Sequence, residues 1–295
     1  MPHAAWPIEE TILAAPCKIN LYLRILGRRA DGYHDLETLF FPLPEPADEL
    51  VIRRFADGAG PTLRCSDPTL SGPDNLVTRA CRAYAEKTGF SPALDIFLDK
   101  RIPAGSGLGG ASSDAARILA YLNDRSPSPL EADELAALGA RLGADVPFFL
   151  QDGPALARGI GDALSPARVD LSGYALVLVC PVDRVNTAWA YAAYDAAPED
   201  GESRPERLLT SFFQRNIKHF CATGLPLSNS FEEVVFTALP GLRRLKETLF
   251  FLGAGAAVLS GSGSAMFGLF RDREQARQAA AALYRQGAET WLVFP

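Results

Sequence analysis

The densest chemical signal in the chain is Pro103-Ala104-Gly105-Ser106-Gly107-Leu108-Gly109-Gly110-Ala111-Ser112-Ser113. Its glycines separate a strand-like run, Leu94 to Leu98, from a helix-like run, Ala111 to Leu122. A glycine-rich turn opening a helix leaves backbone N–H groups unpaired at the positive end of the helix dipole, where phosphate oxygens bind. Glycine permits positive φ and lets backbone approach a ligand without a Cβ in the way. With the Ser112 and Ser113 hydroxyls at the helix start, the segment reads first as a phosphate cradle.

Other readings of the same residues differ in what must follow. Gly105 to Gly110 formally satisfies G-x-G-x-x-G, which belongs early in a βαβ unit with an acidic ribose ligand about 20 residues on. Here a loop, Asn123 to Pro129, and a second helical pattern follow instead of a strand. A P-loop needs Lys after its last glycine, and Ala111 stands there. A turn that merely reverses the chain is the bland alternative.

Two titratable residues make a set with such a cradle. Lys18 interrupts the strand-like Ala15-Pro-Cys-Lys-Ile-Asn20, and Asp145 lies between a helix-ending glycine and Val-Pro-Phe-Phe. Taken singly, the lysine reads as a solvent-facing strand residue and the aspartate as a helix N-cap or turn residue. Phosphoryl transfer is mostly positioning and charge stabilisation, with a carboxylate to orient or deprotonate the attacking hydroxyl. A lysine beside that carboxylate holds it ionised and lowers the hydroxyl's cost of losing a proton. Tyr33 and His34, at a turn, are able to stack on a base or sugar, or are simply surface residues. Leu259-Ser-Gly-Ser-Gly-Ser-Ala265 reads as close backbone approach or as a tight hairpin.

The elements that must position these residues run from strands to helices. Thr11 to Leu26 alternates apolar and polar residues as a half-buried strand does; Gly27 to Gly32 is a turn, and Leu36–Phe41, Leu50–Phe55 and Leu94–Leu98 are extended. Helices are expected from Asp74, read as the N-cap, to Thr88, then over Ala111–Leu122 and Glu131–Leu142. The second half carries a buried strand, Tyr174–Val179, and a helix over Ala188–Ala197. A helical stretch over Phe231–Phe251, broken by Pro240, precedes a closing helix, Arg273–Gln286, and a strand, Thr290–Phe294. Pro198 to Arg207 is the most linker-like segment. The order implies an α+β chain of two domains, 1–158 and 159–295.

Composition narrows the class. At 295 residues, 48% hydrophobic and 22% charged, the chain is an ordinary globular protein. A net charge of −6 disfavours a nucleic-acid partner, which calls for a basic face. Five scattered cysteines without C-x-x-C suggest neither a disulfide framework nor a zinc site. No cationic leader and no apolar run near the ~20 residues of a membrane helix is present, so a soluble cytoplasmic protein is expected.

Three segments, Pro16-Cys-Lys-Ile-Asn-Leu21, Pro103 to Ser113 and Leu259 to Ala265, resemble the ordered motifs of the galactokinase, homoserine kinase, mevalonate kinase and phosphomevalonate kinase superfamily. Gly27-Arg-Arg-Ala-Asp-Gly-Tyr-His34 and Gly143-Ala-Asp-Val-Pro-Phe-Phe149 are similar to one branch of it, and the resemblance runs from Ala14 to Phe270. It implies a two-domain small-molecule kinase with a cleft between the domains, using ATP and Mg²⁺. The implied acceptor is the tertiary hydroxyl of a cytidine diphosphate conjugate of methylerythritol, in the non-mevalonate isoprenoid pathway.

By position the resemblance makes Lys18 and Asp145 the catalytic pair and Pro103 to Ser113 the ATP phosphate loop. Asn20, Tyr33 and His34 become substrate contacts, with His34 and the ring of Tyr191 at the cytosine. Asn75 and Lys100 would line the adenine. Cys17 departs from the usual alanine, and Ser230 stands where an aspartate is common. Another superfamily member, acting on homoserine or mevalonate, is the near alternative. A non-catalytic nucleotide-binding module on the same fold is the distant one, disfavoured by the presence of both Lys18 and Asp145.

Overall fold

The computed structural model describes residues 6–197, 220–221 and 227–295. The linker-like segment 198–207 lies outside them, as does the side chain of Cys221. The chain divides into two compact units. Unit 1 comprises Met1–Cys17, Pro46–Ala104 and Gly109–Asp152; unit 2 comprises Lys18–Glu45, Gly105–Leu108 and Gly153–Pro295. The boundary read at Arg158/Gly159 falls just beyond the last change of unit, at Gly153, while two earlier segments also belong to unit 2.

Two long strands, β1 (Glu9–Arg28) and β2 (His34–Arg54), contribute to both units. The two extended runs read separately within Leu36–Phe55 belong to one strand, which runs on through Pro42, Pro44 and Pro46. In unit 1, β3 (Thr62–Cys65) pairs in parallel with β4 (Leu94–Asp99), and β4 pairs antiparallel with the second half of β2. Helix α1 (Leu76–Thr88) buries Val77, Ala80, Cys81 and Tyr84, the i, i+3, i+4, i+7 stripe of an amphipathic helix. It packs on α2 (Gly110–Arg125), and α3 (Ala132–Leu142) and the single turn α4 (Val146–Phe149) pack there too. The N-cap of α1 is Asn75, not Asp74: the Asn75 side chain accepts from the Val77 N–H at 2.9 Å.

In unit 2, the first half of β2 pairs antiparallel with β5 (Ala155–Gly159), which pairs with β6 (Ala163–Pro166). The short β7 (Val169–Asp170) precedes β8 (Ala175–Cys180) and α5 (Thr187–Ala196). After β9 (Phe220–Cys221), β10 (Ser228–Asn229) runs parallel to β1 at Tyr22 and Leu23. The long helical stretch is two helices, α6 (Glu232–Ala238) and α7 (Pro240–Phe251), with Pro240 in the first turn of the second, where its missing N–H costs nothing. Strands β11 (Ala256–Leu259), β12 (Met266–Phe270), β8 and β13 (Glu289–Val293) form an antiparallel sheet, and α8 (Arg273–Arg285) precedes β13. Val177, Val179, Phe231, Leu249, Met266, Phe270 and Leu283 centre the unit 2 core.

Candidate active site

Side chains alternate across a strand, and β1 sorts its middle residues accordingly. Cys17, Ile19 and Leu21 are fully buried on one face, and Lys18 and Asn20 are 3% and 2% exposed on the other. Lys18 is therefore not a solvent-facing strand residue. A buried ammonium needs partners: its Nζ donates to Asn20 Oδ1 at 2.7 Å and to the Gly107 carbonyl at 3.0 Å, and lies 5.0 Å from the Phe40 ring centre. Asn20 Nδ2 donates to Thr38 Oγ1 at 2.7 Å, and the Thr38 hydroxyl donates to the Tyr22 carbonyl.

The Leu259 to Ala265 segment is both a hairpin and a close approach. It joins β11 to β12, with the Ser260 N–H donating to the Ala265 carbonyl, and it lies against the glycine-rich turn. The Ala265 N–H donates to the Ser106 carbonyl at 3.0 Å and Ser260 Oγ to the Gly107 carbonyl at 3.2 Å. A Cβ on Gly107, whose φ is +82°, would stand 2.2 Å from the Ser260 carbonyl oxygen. Asn229 secures the hairpin from behind, donating to the Leu259 and Gly261 carbonyls at 2.7 Å each, and Glu232 accepts from the Leu259 N–H. Ser230 uses its hydroxyl to accept from the Ile25 N–H, a structural role.

Unit 1 holds the other end of the glycine-rich turn and Asp145. Gly109, with φ +76°, is the N-cap of α2 and supplies no side-chain cap, so that helix opens on backbone N–H groups without a capping oxygen. Ser113 Oγ is fully buried and makes no hydrogen bond. Asp145 occupies the N-cap position of α4 but makes no side-chain bond to that helix's N–H groups. Its loop packs on the start of α2: a Cβ on Gly143 would lie 3.6 Å from Ser112 Oγ. Lys18 lies in unit 2 and Asp145 in unit 1.

His34 and Tyr191 meet in unit 2, their rings stacked at 4.6 Å with an interplanar angle of 18°. His34 begins β2 and is 7% exposed, rather than standing free on a turn; Tyr33 beside it is 62% exposed. Asp195 follows Tyr191 by four residues on α5, hence on the same helix face, and its Oδ1 is 2.8 Å from His34 Nε2. With Arg28, Tyr33 and Thr187 these residues line a recess of about 520 Å³. Asp195 and Arg28 escaped the reading of the sequence, although the Tyr191/Asp195 spacing was a usable signal.

The two residues expected at the adenine have other partners. Asn75 uses both ends of its amide, accepting from Val77 and donating to the Leu70 carbonyl. Lys100 Nζ sits between Asp48 and Asp114, two buried carboxylates that the sequence did not mark.

The uncapped opening of α2 and the orphaned Ser113 hydroxyl fit an anionic phosphate group. Among the described residues no cluster of three or more His, Cys, Asp or Glu could hold a metal ion. Mg²⁺ is commonly held by one or two carboxylates together with substrate phosphates.

Residues 75–153 match the family model of the GHMP kinases N terminal domain, and residues 213–289 that of the GHMP kinases C terminal domain. The chain is 54% identical over 288 residues to the 4-diphosphocytidyl-2-C-methyl-D-erythritol kinase of Solidesulfovibrio magneticus, covering 97% of each chain. The enzyme of that name from Nitratidesulfovibrio vulgaris is 46% identical, over 96% of this chain and 98% of the relative. A crystal structure of 4-(cytidine 5'-diphospho)-2C-methyl-D-erythritol kinase is similar at TM-score 0.78 and 38% identity, covering 96% of this chain and 98% of that one. Homoserine kinase from Cytophaga hutchinsonii shares the fold at TM-score 0.73 and 19% identity, over 96% and 94%.

Proposed function

We propose, from the premise that the chain belongs to the GHMP kinases and within them to the 4-diphosphocytidyl-2-C-methyl-D-erythritol kinases, that it phosphorylates 4-diphosphocytidyl-2-C-methyl-D-erythritol. The acceptor 2-hydroxyl attacks the γ-phosphorus of ATP, the bond to the β-phosphate oxygen breaks, and ADP, a proton and the 2-phosphate result. The observation that carries the choice of acceptor is the recess of unit 2, where His34 and Tyr191 stack beside the exposed ring of Tyr33. A volume of about 520 Å³ suits a pyrimidine nucleoside.

The roles follow from the residues' chemistry. Pro103 to Ser113 holds the phosphates through backbone N–H groups at the opening of α2, with Ser113 Oγ as an added donor. Asp145 accepts the proton of the attacking hydroxyl. Lys18 supplies positive charge toward the developing negative charge, and Asn20 and Thr38 orient its ammonium. Bound Mg²⁺ would neutralise charge on the transferring phosphoryl group. A reducing cytoplasm is the compartment this reading expects, which suits the buried thiols of Cys17, Cys65, Cys81 and Cys180. No helix among the described residues is long and apolar enough to cross a membrane.

A panel of alcohols with Mg·ATP, read by ADP release, tests the assignment. The cytidyl conjugate should be turned over with free methylerythritol, homoserine and mevalonate nearly inert. Equal turnover of homoserine or mevalonate would reduce the assignment to the kinase class.

A further inference from the structure

A charge cluster lies buried under the start of α2, wholly within unit 1. Lys100 Nζ donates to Asp48 Oδ2 and, at 2.8 Å, to Asp114 Oδ2. The side chains of Lys100, Asp48 and Asp114 are 10%, 0% and 3% exposed. Asp48 Oδ1 also accepts from the Arg101 N–H at 2.6 Å and the Ile102 N–H at 2.7 Å, and Ser66 Oγ accepts from the Lys100 N–H. Asp48 thus grips the segment that leads into the glycine-rich turn, and Asp114 stands one helical turn after Gly110, where the turn ends. A Cβ on Gly110 would lie 3.1 Å from Asp48 Oδ2 and 3.0 Å from Ile102 Cγ2, so the helix opening rests directly on this cluster.

Stability does not account for it. Desolvating three ions costs more than their attraction commonly returns, and apolar replacements of such clusters are often neutral or stabilising. One oxygen, Asp114 Oδ1, is buried with no hydrogen bond at all. The arrangement instead fixes geometry on both sides of one loop.

We propose that Asp48, Lys100 and Asp114 are positioning residues for the nucleotide, clipping the segment that enters the glycine-rich turn to the helix that leaves it. Lys100 contributes through the two carboxylates and not through a contact from its ammonium to ATP. The inference rests on the reading of that turn as the ATP phosphate site. Burial pushes the Asp114 carboxyl up to about 7, with Lys100 opposing and Asp48 adding to the shift. With both carboxylates ionised the cluster carries one net negative charge, and with Asp114 protonated it carries none. Phosphates arriving at the opening of α2 therefore favour the protonated form.

A double-mutant cycle tests the clip. Lys100→Met, Asp114→Leu and the double variant are compared by calorimetry with Mg·ATP and by KM for the cytidyl substrate. Each single change should weaken ATP by about 10-fold and the double no further, since both break one unit, while KM for the acceptor stays within about 2-fold. Additive losses, or a loss confined to Lys100→Met, would overturn the clip. Should those variants not fold, ATP affinity of the wild type and Asp114→Asn is followed in parallel from about pH 6 to 8, so that ionisation of the nucleotide cancels. Wild-type affinity should fall relative to the variant as pH rises through about 7; superimposable profiles would overturn the proposal. Failure of the wild type to bind ATP would instead remove the phosphate-site reading beneath it.

Discussion

The α-carbon of Gly107 faces the carbonyl oxygen of Ser260 so closely that a Cβ there would stand 2.2 Å from it. The glycine-rich turn and the hairpin after β11 are thus fitted backbone to backbone, and a side-chain carbon there would fall well inside the ~3.5 Å at which non-bonded heavy atoms settle. Gly105, also at positive φ, has nothing within 4 Å of the same point.

The two glycines should therefore respond differently. Gly105→Ala carries only left-handed strain, about 1–2 kcal/mol, and should keep most of its activity. Gly107→Ala carries that strain and must also push the hairpin away, loosening the bonds that Lys18 and Ser260 make to the Gly107 carbonyl. Melting temperature and ATP affinity of the two variants, measured side by side, check this. Equal behaviour would show that the hairpin yields without cost.

Asp145→Asn keeps the shape of the side chain and removes the basic carboxylate. ATP affinity should hold while kcat falls by roughly 10²–10⁴-fold, the usual weight of general-base catalysis. Single-turnover kinetics distinguish a slowed chemical step from slowed product release.

The His34–Tyr191 stack predicts a loss confined to the acceptor. Tyr191→Ala forfeits a ring pair worth about 0.5–1.5 kcal/mol beyond its buried area, so KM for the cytidyl substrate should rise by about 2- to 10-fold and KM for ATP should not. Asp195→Ala, which frees the His34 edge without touching the stack, should act in the same direction. An unchanged acceptor KM in both variants would take the recess out of substrate binding.

Asp114 also marks a pH window for stability. Its carboxyl is raised in the folded chain from 3.8 to about 7, so the folded state holds a proton that the unfolded state has already lost. That contribution is fully present below about 4 and is lost as pH rises through about 7. Asp114→Asn, which does not titrate, should lose less melting temperature than the wild type between about pH 5 and 8. Parallel melting curves would place the titration elsewhere.

Much of this protein was legible in its residue order. The glycine-rich turn, the strand before it and the helix after it follow from glycine spacing and hydrophobic period. Pro240 ended one helix and opened another because proline lacks an N–H wherever it stands. Family motifs singled out Lys18, Asn20, His34, Tyr191 and Asp145, since local segments carry them. Partnership across the chain was not legible, because it depends on backbone brought together from distant segments. Gly107 against Ser260, Lys18 on the Gly107 carbonyl, and His34 between Tyr191 and Asp195 are of that kind. So is the fate of Lys100. Its sequence neighbours give no sign of Asp48, on another strand, and only the tertiary fold decides that its charge is spent on two buried carboxylates.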